Sequence, residues 1–215
     1  KDPVGVIRSI LEQSEQETLI VIGVPGSEFL YGNSRFDQLS HQHYQQFTKH
    51  SLRLAVERAG GQIIRLETNF PNWGQLAVAF KKRTSKFEEF KTKKIFGYEQ
   101  IKNSFNMFNV SLDSLKKRLQ YINGKEVYGF GAAQNFPVFA NFYNEKLPFD
   151  IILDDNPQRT DRFFPNFPYS IKKPEKDGSY KGKIGVMTGP DYARVLMKRM
   201  SQLEFDHIVV PFNSL

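Results

Sequence analysis

Apolar positions along the first 80 residues change between helical spacing and short continuous runs. Residues 3–13 carry four apolar side chains at the spacing of one helical face, and Pro3 suits a first helical turn. These side chains are Val4, Ile7, Ile10 and Leu11. The run "TLIVIGVPG" at residues 18–26 is almost wholly apolar and ends in Pro and Gly. It therefore predicts a strand that is buried on both faces, as in a parallel sheet, followed by a loop.

The pattern then predicts a helix and a pair of strands. Thr48 can cap a helix over residues 49–59, and Gly60 can end it. The segments "GQIIRLE" and "QLAVAF" are strand candidates, and the loop "TNFPNWG" joins them. Helix, strand, loop, helix and strand pair in this order are typical of an α/β domain over residues 1–82.

A basic helical connector and a second α/β unit are predicted for the rest of the chain. Residues 83–124 form the connector, because apolar residues recur at helical spacing between residues 85 and 120. In residues 125–215, "KEVYGFGAAQNFPVFANFY" predicts strand, turn and helix, and "FDIILDDNP" predicts a strand with acids at its end. "KIGVMTGPDYARVLMKRMSQL" predicts strand, turn and helix, and "FDHIVVP" predicts the last strand.

Composition narrows the class of protein. Hydrophobic residues make up 40% of the 215 positions and charged residues 25%, as in soluble globular proteins. No apolar run approaches the roughly 18 residues of a membrane span, and "KDPVGVIRSI" has no secretory apolar region. The chain lacks an initiator Met, so we expect a fragment of a longer protein. The absence of cysteine excludes disulfides and thiolate zinc sites and fits a reducing, cytoplasmic location.

The net charge of +7 belongs to one segment. Residues 81–125 hold 12 Lys and Arg against 4 Asp and Glu, a net charge of +8, whereas the remainder carries −1. Aromatic residues in this segment are spaced like the buried side of a helix rather than a stacking platform. They are Phe87, Phe90, Phe96, Phe105 and Phe108. A solvated helix face is therefore favoured over a patch for phosphates or nucleic acid.

The turn "YGFGAAQ" at residues 128–134 is a candidate nucleotide site. Gly129 would allow a tight turn, and Gly131, followed by Ala132 and Ala133, would let the backbone approach a phosphate at a helix N-terminus. Gln134 stands where the full fingerprint has Gly. A ribose-binding acid is expected about 20 residues later, where Asp154, Asp155 and Asn156 end the next strand. A strand-to-helix turn without a ligand is the alternative.

The stretch "SRFDQLSHQHYQQFT" carries His41 and His43, two residues apart. A metal would need a third ligand, and only Asp37 or His50 is near in sequence, so no metal is predicted. A histidine suits general-base chemistry, because its pKa lies near neutrality. A polar loop without a chemical role is the alternative.

Several loose motifs occur in the order found in sugar-nucleotide C-methyltransferases. The segment from "NSRFDQLSHQHYQQFT" to "GGQII" resembles that family's Y-D-x-I-Y-H-E-H-x-x-Y-F-S motif and the helix and strand after it. "TLIVIGVPG" is similar to the strand that ends in E-V-P in the family. "VYGFGAAQ", "DDNP" and "HIVVPFN" resemble its C-terminal domain, with a G-x-G-A turn and a D-x-N-P strand end. The resemblance touches nearly all 215 residues.

The resemblance implies a fold and a reaction. The chain would be the C-terminal half of a class I methyltransferase-type domain, then the helical connector, then a Rossmann-like domain, with substrate between the domains. The implied reaction transfers a methyl group from S-adenosylmethionine to a carbon beside a ketone of a nucleotide sugar. Carried over by position, His43 is the base, and His41 and Gln42 position the substrate. The C-terminal turn falls on Gly129, Gly131 and Ala132, and the acid pair on Asp154 and Asp155.

Departures from the family pattern favour a second reading. In the histidine motif, Ser40 replaces the family's Tyr, and Gln42 replaces its Glu. In the family's H-G-G-S-x-R loop, the His, one Gly and the Arg are replaced here by Asn72, Trp73 and Ala77. The glycine-rich loop for S-adenosylmethionine is expected in an N-terminal half before Lys1, so most of the cofactor site would lie outside this chain. The alternative is a catalytically degenerate nucleotide-sugar-binding or scaffold module of the same fold.

Overall fold

The computed structural model describes residues 2–36, 39, 43–69, 74–85, 97–122, 124–133, 135–189 and 192–211. The chain divides into an N-terminal unit, Lys1–Phe105, and a C-terminal unit, Asn106–Leu215. No helix within the described ranges is long and apolar enough to span a bilayer.

The N-terminal unit is a three-stranded sheet with helices on one face. Its elements are α1 (Pro3–Gln13), β1 (Ile20–Val24), α2 (Ser27–Gly32), α3 (Lys49–Arg58), β2 (Gly61–Asn69) and β3 (Gln75–Lys82). The strand order is β1-β3-β2, and β3 is antiparallel to both neighbours. The core joins α1 and α3 to one face of β3, whose residues alternate between buried and half-buried. The predicted helices and strands therefore form at the expected places.

Two predictions about burial in this unit are wrong. β1 is not a parallel strand buried on both faces, because it pairs antiparallel with β3 and only alternate side chains contact the core. Side chains alternate faces along a strand, so Val21 lies on the uncovered face and is 65% exposed. In α1, Ile7 and Leu11 are buried as predicted, but Ile10 is 38% exposed.

The predicted ends of α3 are confirmed. Thr48 Oγ1 accepts a hydrogen bond from the Ser51 amide at 3.0 Å, and Ser51 Oγ accepts one from the Thr48 amide at 2.9 Å. This reciprocal cap satisfies two amides that the first helical turn would otherwise leave unpaired. Gly60 follows the C-cap residue with φ +99°, a conformation that glycine adopts without strain.

Helix α4 (Tyr98–Tyr121) confirms the helical part of the connector within the described residues. Its buried side chains recur every three or four positions: Phe108, Leu112, Leu115 and Leu119. Phe105 is 42% exposed, although its ring meets Phe36 edge-on at 5.1 Å. Lys117 and Arg118 are exposed, as a solvated helix face predicts. Residues 86–96, which include Phe87, Phe90 and Phe96, lie outside the described residues.

The C-terminal unit contains a five-stranded parallel sheet. Its elements after α4 are β4 (Val127–Phe130), α5 (Asn135–Tyr143), β5 (Ile151–Leu153), β6 (Ser170–Lys172), β7 (Ile184–Met187), α6 (Ala193–Gln202) and β8 (His207–Val209). The order β6-β5-β4-β7-β8 is consistent with a Rossmann-like α/β fold. The chain leaves β4 toward β5 and later returns to β7 on the other side, so the strand order switches between β4 and β7. Sequence patterning did not predict β6, which is only three residues long.

Replacing Thr48 with alanine should destabilise the protein by about 1 kcal/mol, because the Ser51 amide loses its acceptor. Urea unfolding followed by circular dichroism measures this change. The control is Thr18→Ala, at an exposed position before β1, which should change stability by less than about 0.5 kcal/mol. Equal effects of the two substitutions would show that the cap does not stabilise α3.

Candidate ligand sites at the carboxyl ends of the strands

The turn after β4 lies at the switch point of the parallel sheet, where ligands of α/β folds collect. Gly131 adopts φ +101°, and its amide donates to the Leu153 carbonyl at 2.8 Å. The Ala132 amide donates to Asp154 Oδ2 at 2.7 Å. Both amides therefore have acceptors within the protein, and neither is free for the phosphate that the sequence predicted at this turn. Among the described residues 131–133, Ala133 is half-exposed and the other two are buried.

The two glycines of the turn have different roles from those predicted. Gly129 lies within β4, paired with Ile152 and Val186, and so does not form the turn. A Cβ at Gly129 would lie 2.8 Å from Phe149 Cε2, so glycine here makes room for an aromatic ring of the core. A Cβ at Gly131 would lie 3.3 Å from Leu196 Cδ1 and would also be strained by the positive φ. A valine at Gly131 would therefore disturb the fold as well as any ligand.

Asp154 connects this turn to the loop after β5. The residue is only 6% exposed, and its Oδ1 accepts from the Asn156 amide at 2.8 Å. Arg159 Nη1 lies 3.0 Å from Oδ2, the same oxygen that accepts from Ala132. Both carboxylate oxygens therefore have donors within the protein. A ribose-binding role for Asp154 stays a prediction, and it would have to coexist with these bonds.

Asp155 and Asn156 also have partners within the unit. Asp155 pairs with Arg199 Nε at 3.1 Å, and Arg199 Nη1 pairs with Asp177 at 2.7 Å. These two carboxylates raise the pKa of Arg199, whose positive charge their hydrogen bonds stabilise. Asn156 Oδ1 accepts from the Gln158 amide at 2.9 Å, which closes a side-chain turn. The loop after β5 is thus held by its own polar residues, and contact with a ligand stays a prediction.

Thr188, which sequence reasoning missed, fastens the other side of the switch point. It is fully buried after β7, and its amide donates to the Phe130 carbonyl at 2.9 Å. Its Oγ1 lies 3.0 Å from the Phe130 carbonyl oxygen and 2.5 Å from that of Gly131. A threonine directly after an apolar strand, as in "IGVMTG", was the available sequence signal. The hydroxyl keeps the carboxyl ends of β4 and β7 together where the turn begins.

In the N-terminal unit, the carboxyl end of β1 meets the segment that follows the histidine motif. Gly26 forms a parallel bridge with Phe47, and the Ser27 amide donates to the Phe47 carbonyl at 2.8 Å. Gln46 Nε2 donates to the His43 carbonyl at 3.4 Å, and His43 is half-buried. His41 and Gln42 lie outside the described residues. Because β1 is antiparallel to its neighbour, the rule that ligands collect at the carboxyl ends of parallel strands does not apply to this strand end.

Polar side chains that sequence reasoning missed are buried in α2 and directly after it. Ser27 is 1% exposed and Arg35 5% exposed, which is unusual for such residues. Burial raises the pKa of Tyr31, and a side-chain hydrogen bond with Ser27 acts in the opposite direction. The sequence gave no signal for the burial of Ser27 and Arg35, because each is a single polar residue within "PGSEFLYGNSRF". Residues 27–35 therefore bury polar groups that the sequence did not predict to be buried.

Replacing Asp154 with asparagine should destabilise the protein by about 1.5–3 kcal/mol, because hydrogen bonds to a buried charged group are lost. The control is Asp155→Asn, whose half-exposed ion pair with Arg199 should contribute no more than about 1 kcal/mol. Urea unfolding followed by circular dichroism measures both. Equal losses would show that Asp154 is not the residue that holds the turn.

Neither a search for metal sites nor a comparison with known proteins assigns a function to this site. Within the described residues, no group of three His, Asp or Glu side chains could hold a metal ion, while Asp37 and His41 lie outside them. The chain matches no protein-family model and no curated protein.

Proposed function

We propose that the chain is the C-terminal part of an S-adenosylmethionine-dependent methyltransferase that acts on a nucleotide sugar or a similar small carbonyl compound. The observation that carries the proposal is the order of motifs, from "SRFDQLSHQH" to "VYGFGAAQ" and "DDNP". Two structural features support it. Residues 43–47 are fixed to the carboxyl end of β1, and the second motif turns at the switch point of a parallel sheet.

In this proposal His43 acts as a general base. An unprotonated ring nitrogen of His43 takes the proton from the carbon beside the substrate ketone, leaving an enolate. His41 and Gln42 position the substrate in the same motif. Gln42 can hydrogen-bond but carries no charge, so it cannot raise the basicity of His43 as a glutamate would.

The cofactor's site is expected upstream of this chain. S-adenosylmethionine would supply the methyl group, which would pass from sulfur to the substrate carbon as S-adenosylhomocysteine leaves. The turn at Gly131 does not suit it as a cradle, since the amides of Gly131 and Ala132 already have acceptors within the protein. In this proposal, the residues of this chain therefore supply the general base and bind the substrate.

The unpaired edge of β1 is consistent with an upstream segment that would add a strand to this sheet. Within the described part of the chain, β1 pairs only with β3. Leu19 and Val21 are 60% and 65% exposed, and the strand itself carries no charge. An exposed, uncharged, apolar edge strand readily pairs with a further strand. An N-terminal half that extends this sheet would cover that edge.

A second candidate function is a binding module that has lost the reaction. Ala77, on β3 opposite Gly23 and Glu67, stands where the family has an arginine. An alanine offers neither charge nor hydrogen bond to a substrate. Such a module would bind nucleotide sugar without methylating it, which the same assays distinguish.

Replacing His43 with alanine in the protein extended by its upstream segment should lower single-turnover methylation of keto-sugar nucleotides roughly 10²- to 10⁴-fold, the contribution of a general base. His43→Gln should not restore the rate, because an amide does not accept the proton at neutral pH. The control is His207→Ala, at an exposed position on β8, which should leave the rate unchanged. A loss of less than about tenfold, below the range for general-base catalysis, would exclude His43 as the base.

Replacing Ala133 with aspartate should weaken binding of a nucleoside diphosphate to the C-terminal unit, because a carboxylate at the turn repels the phosphates. Calorimetry with UDP measures the change, and we expect at least about a tenfold loss of affinity. The control is Gln120→Glu, which adds the same charge at an exposed position of α4. Equal affinities of the two variants would remove the turn from the nucleotide site.

A further inference from the structure

A cleft lies at the amino ends of β4 and β5, at the opposite edge of the parallel sheet from the switch point. Its volume is about 490 Å³, within the roughly 300–1,000 Å³ that small-molecule sites occupy. Its wall is formed by the end of α4, residues 124–125, Tyr143 and residues 145–150, all within the C-terminal unit. None of these residues belongs to the turn after β4 or to the histidine motif.

Contacts within the unit hold the wall of the cleft in place without a ligand. The Leu147 amide donates to the Tyr169 hydroxyl at 3.1 Å, which fixes the loop before β5. The Phe149 ring packs beside Gly129, where a Cβ would lie 2.8 Å from Phe149 Cε2. Leu147 and Phe149 are both buried. A small molecule would therefore enter a site that is already formed.

The Tyr143 hydroxyl is a polar group in this wall without a partner. Tyr143 is 2% exposed, and no group among the described residues hydrogen-bonds to its hydroxyl. Its ring packs against Phe139, and Lys116 Nζ lies 5.8 Å from the ring centroid. Burial raises the pKa of Tyr143, and the Glu145 carboxylate raises it further, so the phenol keeps its proton at neutral pH. Buried polar groups are nearly always paired, so this donor indicates an acceptor on a ligand.

Lys125 gives the cleft a cation that no carboxylate neutralises. The two acids of the wall each pair with a lysine. These pairs are Lys116–Glu145 at 3.3 Å and Lys146–Asp150 at 3.5 Å. Among the described residues Lys125 has no ion-pair partner, and its ammonium group lies 5.9 Å from the centroid of the exposed Tyr121 ring. The charge that remains for a ligand is therefore positive.

The ligand should accept hydrogen bonds and carry a negative charge, because Tyr143 donates and Lys125 is cationic. The buried Leu119, Leu147 and Phe149 side chains favour an apolar body next to that charge. We propose that this cleft binds a small organic carboxylate whose apolar part lies against Leu147 and Phe149. The proposed methyl transfer uses none of these residues, so the two proposals can fail independently.

The first experiment needs no ligand and measures urea unfolding of the 215-residue chain by circular dichroism. Tyr143→Phe removes only an unpaired hydroxyl, so the midpoint should not fall. The matched control is Tyr169→Phe, because the Tyr169 hydroxyl is the acceptor for the buried Leu147 amide and its loss should lower the midpoint. An equal fall for Tyr143→Phe would show that its hydroxyl has a partner within the protein, and would overturn the inference.

The second experiment titrates benzoate into the same chain and follows the amide resonances by NMR. Saturable shifts should give a Kd of about 1 mM or lower. Lys125→Gln and Tyr143→Phe should each weaken benzoate binding about fivefold or more, because each removes a donor to the carboxylate. The control is Lys117→Gln, an exposed cation of α4 outside the cleft, which should leave the affinity unchanged. Absence of saturable shifts, or unchanged affinity in either cleft variant, would overturn the inference.

Two further probes test the chemical class of the ligand. Benzamide has the same ring without the charge, and inorganic phosphate has a negative charge without the ring. Each should bind at least about tenfold more weakly than benzoate, because each lacks one of the two features that the cleft recognises. An affinity of either probe equal to that of benzoate would overturn the assignment of an organic carboxylate.

Discussion

The Asp154 carboxylate is the contact on which the carboxyl edge of the parallel sheet depends. Its Oδ2 holds the Ala132 amide at 2.7 Å and Arg159 at 3.0 Å, and its Oδ1 holds the Asn156 amide. One buried charge thus joins the turn after β4 to the loop after β5. Hydrogen bonds to a charged acceptor in a dry site are strong, and losing any of these donors would leave part of the charge unpaired. Thr188 completes the arrangement from the β7 side.

This arrangement limits what the edge can do for a ligand. A glycine-rich turn binds phosphate when its amides are free, but the amides of Gly131 and Ala132 already have acceptors. Binding at this edge would therefore use Ala133 and side chains of the surrounding loops. The same atoms that make the turn rigid reduce its capacity as a phosphate cradle.

The end of β1 in the N-terminal unit is held in a different way. There, Gly26 forms a bridge with Phe47, and the Ser27 amide donates to the Phe47 carbonyl at 2.8 Å. Backbone bonds therefore fix this strand end to the segment that follows the histidine motif. The carboxyl edge of the parallel sheet depends instead on one buried side-chain charge.

The sequence predicted most of the elements and several of their ends. Helical spacing predicted α1 and α4, apolar runs predicted the longer strands, and Thr48 with Gly60 predicted both ends of α3, because these signals are local. Only the tertiary structure decided that β1 is an antiparallel strand with one solvent-exposed face. The residues that pair with β1, such as Phe80, are distant in the sequence. It likewise decided that Asp154 serves the turn and that Ser27 is buried. Burial and hydrogen-bond partners depend on which segments meet in space, and spacing along the chain does not contain that information.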